Sequence, residues 1–186
     1  MKKNGPRDVS YAVLYDKKDA DYIASLSPDN LFSLIEKESD VFLQIAKADD
    51  IVTYPGLAYC MQLILGTQTT RFSFYGVGSS SIIADPFRQT LVSEASSRMN
   101  LTIPAQGSAT RTTSGGLSCL RFIGIFPASF QTITVTESGM FTTSTPNTGI
   151  MLNRNVFSSA PITHVSGVTA FTVASDVRFG SVIAWG

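Results

Sequence analysis

The sequence predicts a mainly β protein: an antiparallel β-sandwich or jelly-roll-like domain with a small helical N-terminal region. From residue 71 onward, apolar and polar residues alternate with a period of two, as in half-buried strands. Turn sequences separate these stretches at intervals typical of sandwiches; they include Gly115-Gly116, Pro146-Asn147 and Ser166-Gly167. Clear helical spacing is confined to residues 28–48.

The N-terminal region begins with residues 1–15, which we interpret as an arm ending in a short strand or docking segment. Ser27-Pro28-Asp29 then has the features of a helix start, with a capping hydroxyl, a proline and an acid in the first turn. A second start at Ser39-Asp40 predicts two short helices, or one bent helix, between residues 28 and 48. The apolar segment Leu57–Leu65 is compatible with a third helix or with a buried strand.

The stretch from Thr132 to Ser159 predicts two strands around a polar turn, with Glu137-Ser138-Gly139 between them. We expect Glu137 to accept backbone N–H bonds of that turn, and Gly139 to supply a backbone geometry that a side chain would hinder. Phe141 would then fill the core between the strands. The acid, hydroxyl and glycine therefore indicate a hairpin and not a catalytic corner.

Charge divides the chain into two regions. Residues 1–50 hold seven of the 14 basic and ten of the 14 acidic residues, whereas the remainder is charge-poor and rich in Ser, Thr and Gly. We therefore predict an N-terminal attachment or assembly segment at residues 1–55 and a β-sandwich domain at residues 56–186. The net charge is zero, so neither direct nucleic-acid binding nor binding to an anionic membrane is expected.

The chain offers little equipment for catalysis. Its one histidine, His164, is expected in a loop; a catalytic triad would need it together with Asp176 and a serine, but no G-x-S-x-G motif occurs. A glycosidase would need two carboxylates, for which Glu94 and Glu137 are the only pair worth testing. A hydrolase remains a remote alternative, and no catalytic residue is assigned.

No cofactor or metal site is predicted either. GVGSSS (residues 76–81) lacks the lysine of a P-loop and the third glycine of a dinucleotide fingerprint. Cys60 and Cys119 lie in apolar segments without metal-binding spacing, which favours buried thiols in a reducing compartment and leaves a disulfide as the alternative. The most apolar stretch, Leu57–Gly66, is too short to span a bilayer.

Four short motifs follow one another in the second region: FYGVGSSS, QTLVSEASSR, TVTESGMF and GIMLNRNVFSS. Their order, with a final Ser/Thr-flanked strand, resembles a family of tailed-bacteriophage virion proteins described as tail-fibre-like or capsid-associated. The last segment departs from the family pattern because it continues into GSVIAWG. The helical region of residues 16–50 matches no part of that pattern.

The resemblance implies a non-enzymatic structural component of a tailed-phage virion, a capsid-, collar- or tail-associated assembly or decoration protein. It implies location in the virion after assembly in the host cytoplasm, and the major capsid, portal, collar or tail protein as neighbours. A homo-oligomer is expected, with a trimer as the first expectation. The alternative is a receptor- or glycan-binding fibre module. Leu152 and Phe157, within GIMLNRNVFSS, are core candidates beside Glu137, Gly139 and Phe141.

Overall fold

The computed structural model describes residues 9–114, 117–157 and 160–178. Within these residues the helices are α1 (Ala20–Ser25), α2 (Pro28–Glu36) and α3 (Tyr54–Ile64). The strands are β1 (Val9–Asp16), β2 (Phe42–Val52), β3 (Phe74–Gly78), β4 (Met99–Asn100), β5 (Gly107–Ser114), β6 (Leu117–Phe126), β7 (Ile133–Val135), β8 (Glu137–Phe141), β9 (Met151–Val156), β10 (Ile162–His164) and β11 (Thr169–Arg178).

Nine strands form one continuous sheet in the order β4-β3-β8-β9-β2-β1-β11-β6-β5, and β7 pairs with β10 in a small second sheet. The long strand β2 divides the large sheet, because it pairs with β1 up to Asp49 and with β9 from Asp50 onward. The first half contains β5, β6, β11 and β1; the second half contains β9, β8, β3 and β4. Every described pairing is antiparallel. The mainly β, antiparallel prediction is confirmed.

The two halves face each other across the main hydrophobic core. A Cβ built on Gly124 of β6 would lie 2.9 Å from the Tyr75 side chain of β3, so the halves touch there. The core draws alternate residues from both halves, as expected for facing sheets. Its members include Leu14, Phe122, Phe126 and Phe171 from the first half, and Tyr75, Met140 and Leu152 from the second.

The outer face of the first half is covered by α1 and α2. Tyr11, Val13 and Ile123 project from that face and pack against apolar residues of the two helices, which are Ile23, Leu31, Phe32 and Ile35. The molecule therefore has a helical layer over half of a β-sandwich, in agreement with the predicted helical N-terminal region.

The start of α2 confirms the predicted cap, since the Ser27 hydroxyl accepts a hydrogen bond from the Asn30 N–H and Pro28 is the first helical residue. The second predicted helix is wrong, because residues 42–52 form β2. Ala46 and Ala48 are buried there while Lys47 between them is exposed, which is the alternation of a strand. Pairing with β1 and β9 on either side outweighs the helical spacing of this segment.

The boundary predicted at residue 55 does not separate two packing units. Strand β1, expected as part of an arm, lies between β2 and β11 and pairs with β11 along its whole length. The segment Leu57–Leu65, left open between helix and strand, falls largely in α3. The predicted turn at Gly115-Gly116 and the strand end at Phe179 lie outside the described residues.

Candidate functional site

The sequence Glu137-Ser138-Gly139 forms the first three residues of β8. The predicted turn at this point is wrong: β8 pairs with β3 on one side and with β9 on the other. The hairpin turn lies further along the chain, between β8 and β9 at residues 142–150. Both edges of β8 are occupied, so Glu137 is held in the middle of a sheet.

The Glu137 carboxylate is completely buried and has four donors. Its oxygens accept the backbone N–H groups of Val92 (3.1 Å) and Ser93 (2.7 Å), and the Nε and Nη2 groups of Arg154 at 2.9 and 2.7 Å. Arg154 is also completely buried and donates to the carbonyls of Ile82 and Ile83. The glutamate therefore binds the segment around residue 92, and not its own turn as expected. The pair thus holds loop 82–93 against the sheet through four hydrogen bonds, two accepted by Glu137 and two donated by Arg154.

A second buried pair lies beside the first. Glu94 accepts two hydrogen bonds from Arg98, at 2.5 Å from Nε and 2.9 Å from Nη2, and a third from the Asn147 N–H at 2.7 Å. Both side chains are fully shielded from solvent. Glu94 and Glu137, the two carboxylates considered for a glycosidase, are thus each paired with an arginine and inaccessible to a substrate.

The glycines of the GVG motif explain how both glutamates fit. A Cβ on Gly76 would lie 2.6 Å from Glu94 Oε1, and a Cβ on Gly78 would lie 2.6 Å from Glu137 Oε1. Any side chain at either position would displace a buried carboxylate. The motif therefore makes room for two ion pairs on the outer face of β3.

The other core candidates are buried as well. Phe141 and Phe157 have no solvent exposure, and Leu152 is 2% exposed. Gly139 is needed for space and not for a special backbone angle: a Cβ there would lie 2.8 Å from the Asn153 carbonyl and 3.0 Å from Met151 Sδ. The turn role expected for Gly139 is therefore wrong. The glycine instead allows β8 and β9 to pack closely.

His164 is a buried strand residue and not the expected loop residue. It has no exposure on β10, where its Nε2 lies 3.1 Å from the Phe130 carbonyl and its Nδ1 3.1 Å from the Thr169 hydroxyl. A carbonyl only accepts, so Nε2 carries the proton and Thr169 donates to Nδ1. Burial lowers the pKa of His164, an effect opposed in part by the bond to Phe130.

Asp176, the other member of the hypothetical triad, pairs elsewhere. Arg121 donates to its two carboxylate oxygens at 2.8 and 2.7 Å on the helical side of the sheet, and also reaches Asp29 of α2 at 2.6 Å. The structure does not bring His164 and Asp176 together as hydrogen-bond partners.

Cys60 and Cys119 are both buried, and neither forms a disulfide. Burial raises the pKa of the Cys60 thiol to about 11, which leaves it protonated near neutral pH. Within residues 9–114, 117–157 and 160–178, no group of three His, Cys, Asp or Glu side chains is arranged to hold a metal ion.

Apart from Gln62, the outward face of α3 is apolar, and it is exposed to solvent. Tyr54, Ala58, Met61 and Leu65 follow one another at helical spacing along it, and the three large members are 54%, 50% and 72% exposed. Phe87, 72% exposed, extends this stripe because its ring packs edge-on against Tyr54 with centroids 4.9 Å apart. We call these five residues the α3 surface.

Local contacts hold α3 against the second half of the sheet. The Thr53 hydroxyl caps the helix by accepting from the Gly56 N–H, and donates to the Met151 carbonyl of β9. A Cβ on Gly56 would lie 2.6 Å from the Leu152 backbone, so the helix starts in direct contact with β9. That contact fixes the orientation in which the apolar stripe faces solvent.

Comparison of the chain with protein-family models, with curated proteins and with solved structures finds no match. Among the described helices, none combines the length and the apolar character that crossing a membrane requires. The geometry of the α3 surface and of the buried ion pairs is therefore the basis for a functional proposal.

Proposed function

We propose that this chain is a non-enzymatic structural component of a tailed-phage virion, a capsid-, collar- or tail-associated assembly or decoration protein. The α3 surface is the observation that carries the assembly role. The assignment to a virion rests on the four ordered motifs that resemble a phage family. Its neighbours would be the major capsid, portal, collar or tail protein.

The α3 surface supports contact with another protein because a helix that is apolar on all sides is normally buried. Isolated exposed apolar residues are common on proteins, whereas a contiguous stripe of large ones marks an interaction site. Tyr54, Met61 and Leu65 occupy one continuous face over three turns of α3, so they form such a stripe.

The distribution of charge supports a scaffold role for the β region. Three of its four carboxylates, those of Glu94, Glu137 and Asp176, each accept two hydrogen bonds from one arginine in a shielded pair. Such pairs specify which segments pack together, and they leave none of these three carboxylates open to a substrate. These carboxylates therefore serve the packing of the fold, which is what a scaffold role requires of them.

The second candidate is a receptor- or glycan-binding fibre module. The exposed aromatic pair of Tyr54 and Phe87 favours it, since sugars stack on aromatic rings. The rest of the α3 surface is aliphatic, and a glycan site also needs convergent polar groups. A protein partner therefore fits this surface better than a sugar.

Particle assembly tests the proposal. Particles produced without the native copy of this chain would be supplied with the wild-type protein, with Met61→Asp and with Leu65→Asp. We expect the wild type to be incorporated and both variants to be lost, since a charge is costly at a buried contact. Val168→Asp is the matched control, because Val168 is a 60% exposed aliphatic residue in the turn before β11.

Mass photometry of the same proteins measures oligomeric state, for which a homo-oligomer, and first a trimer, is expected. Equal incorporation of all four proteins would contradict the assembly role of the α3 surface. Binding of the free protein to host glycans, abolished by Tyr54→Ala, would favour the second candidate instead.

A further inference from the structure

A groove runs between α3 and the edge strand β5. Its volume is about 310 Å³, and its apolar walls come from α3, from Phe72 and from β6. Three consecutive residues of β5, Ala109, Thr110 and Arg111, line it. In the β5–β6 pairing Ala109 lies opposite Phe122 and Arg111 opposite Leu120, so the groove covers the face of both strands that is turned toward α3. The side chain of Thr110 points to the opposite face, so its place in the lining indicates that the groove also reaches the backbone edge of β5.

The edge of β5 is open on the side of this groove. β5 is last in the strand order and pairs with β6 alone among the described strands. The Ile125 N–H donates to the Gln106 carbonyl directly before β5 begins. In an antiparallel ladder, bonded and non-bonded residue pairs alternate. Residues 108, 110 and 112 therefore bond to β6, whereas Ala109 and Arg111 direct their N–H and C=O groups outward.

The walls of the groove indicate the chemistry of what it binds. The side chains of Leu63, Ile64, Leu120 and Phe122 offer apolar contacts. Arg71 and Arg111 line the same groove and are exposed, and no ion pair among the described residues involves either of them. This contrasts with Arg98, Arg121 and Arg154, each of which is bonded to a carboxylate.

We propose that this groove binds an extended segment of a partner protein, which adds to β5 as a further strand. The segment carries apolar side chains at alternate positions and an acidic residue that pairs with Arg71 and Arg111. Main-chain bonds to Ala109 and Arg111 provide the affinity, and the apolar wall and the arginines provide the specificity. The proposal rests on the proposed assembly function and names the kind of partner that the chain contacts.

Peptide selection on the full chain tests this directly. The probe is a yeast-displayed library of random peptides about ten residues long, the length that a strand of this size pairs with. We expect selected peptides to have apolar residues at every second position together with Asp or Glu. The best peptide is then synthesised and its Kd measured by fluorescence anisotropy.

Two pairs of variants separate the backbone contribution from the charge contribution. Ala109→Pro removes one outward N–H at an edge position that tolerates proline, and it should weaken binding about tenfold or more, while Ala109→Ser should bind like the wild type. Arg71→Gln combined with Arg111→Gln should weaken the acidic peptide about tenfold but not its Asp→Asn counterpart. Thermal melts verify that each variant folds.

Hydrogen exchange gives a readout that needs no substitution. The amides of Ala109 and Arg111 should exchange rapidly in the free protein and slow about tenfold or more with the peptide bound, whereas the amide of Thr110 is protected in both states. Selected peptides with helical spacing or with Lys and Arg would overturn the proposal. So would binding that is insensitive to Ala109→Pro, or unchanged exchange at Ala109.

The same variants distinguish this inference from the proposed function. Self-association of the full chain through the groove, or selection of peptides resembling residues 179–186, would show a different occupant and also overturn it. If Ala109→Pro enters particles normally while Leu65→Asp does not, the groove inference fails and the assembly function stands. If Leu65→Asp also enters normally, the assembly function fails whatever the groove binds.

Discussion

Helices α2 and α3 are built alike at their starts but differ in the face that they expose. Each begins with a capping hydroxyl, Ser27 or Thr53, followed within two residues by a proline. In α2 the residues Leu31, Phe32 and Ile35 are buried, and its exposed positions are polar. In α3 most exposed positions are apolar: Tyr54, Ala58 and Met61 belong to the α3 surface and Ile64 lies beside it, whereas Gln62 is polar.

The difference between the two helices separates what the fold needs from what a partner needs. Helix α2 completes the hydrophobic layer over β1, β6 and β11 and ends in a polar outer face. Helix α3 contacts β9 and leaves a second apolar face unburied. Removing a large apolar side chain from water is favourable by about 1.5–3 kcal/mol. Folding leaves the side chains of the α3 surface exposed, so this free energy is available for binding a partner protein that covers them.

The largest effect on stability is expected from the removal of residues 1–52, which deletes α2 and keeps α3. From the charge break alone, removal of residues 1–50 would be expected to leave a soluble β-domain. Because β1 lies between β2 and β11, and β2 joins both halves of the sheet, we expect the truncated chain to lose cooperative folding altogether. Circular dichroism and thermal melts measure this, and a sharp transition would contradict it.

Next in size is Glu137→Gln in β8, whose carboxylate binds the loop that carries Phe87 of the α3 surface. The substitution leaves the buried Arg154 guanidinium without a counter-charge, which we expect to cost about 3–5 kcal/mol. Asp29→Asn on α2 is the control: its side chain is 71% exposed beside Arg121, and surface pairs contribute about 0–1 kcal/mol. Chemical denaturation compares both variants, and equal losses would refute the distinction.

Phe32→Ala tests the buried face of α2. Phe32 is 3% exposed, packs edge-on against Tyr11 with centroids 5.9 Å apart, and lies under the Arg121 guanidinium. We expect a loss of about 3 kcal/mol, at the low end for a buried aromatic because α2 is a surface helix. The free energy of unfolding in urea measures it. A loss below about 1 kcal/mol would mean that α2 is not held by this face.

Local sequence signals were sufficient for the elements whose stability is local. The cap and proline at Ser27-Pro28 predicted the start of α2, a nearly continuous apolar run predicted β6, and alternation of apolar and polar residues predicted β11. Residues 42–52 failed because helical spacing and strand alternation both fit their apolar positions, and only pairing with β1 and β9 decides between them. The position of β1 inside the sheet depends on contacts more than 150 residues apart in sequence, for example between Tyr15 and Thr172.

The candidate site was harder to predict because the partners of its side chains come from other strands and loops, and the sequence does not show which segments meet. Nothing in the sequence around Glu137 indicates that Arg154 is its partner. The i, i+4 spacing of Glu94 and Arg98 would indicate an ion pair only on a helix, and this segment is not helical. Gly76 and Gly78 are alternate residues of β3 and share one face, which also indicated that another segment packs closely against that face. Nothing in the composition of Leu57–Leu65 tells an exposed apolar face from a buried one.

His164 provides a smaller effect that depends on pH. Burial lowers its pKa in the folded protein below the 6.5 of an exposed histidine, so the unfolded chain binds the proton more readily. Stability should therefore be constant well above pH 6.5 and fall as the pH drops below it. Because His164 is the one histidine in the chain, melts from about pH 7.5 to pH 5.5 report on it.

His164→Gln is the matched variant for this titration. Glutamine retains a donor for the Phe130 carbonyl but does not titrate, so the variant should be somewhat less stable near neutral pH and show a flatter pH dependence. If stability changed with pH equally in the wild type and in the variant, another group would control the pH dependence, and the burial of His164 would not contribute to it.

The smallest expected change is on the α3 surface itself, and it completes the comparison with Phe32→Ala. Leu65 is 72% exposed at the end of α3, so Leu65→Gln removes almost no contact in the isolated protein. We expect its free energy of unfolding to stay within about 0.5 kcal/mol of the wild type, as for other surface substitutions. The apolar side chain nevertheless costs solubility in the free protein, because exposed apolar patches promote association. Leu65→Gln should therefore remain monodisperse at higher concentrations, as measured by light scattering, while its incorporation into particles falls. A substantial loss of folding stability would show that Leu65 already has a partner within the chain, and the contrast between α2 and α3 would then disappear.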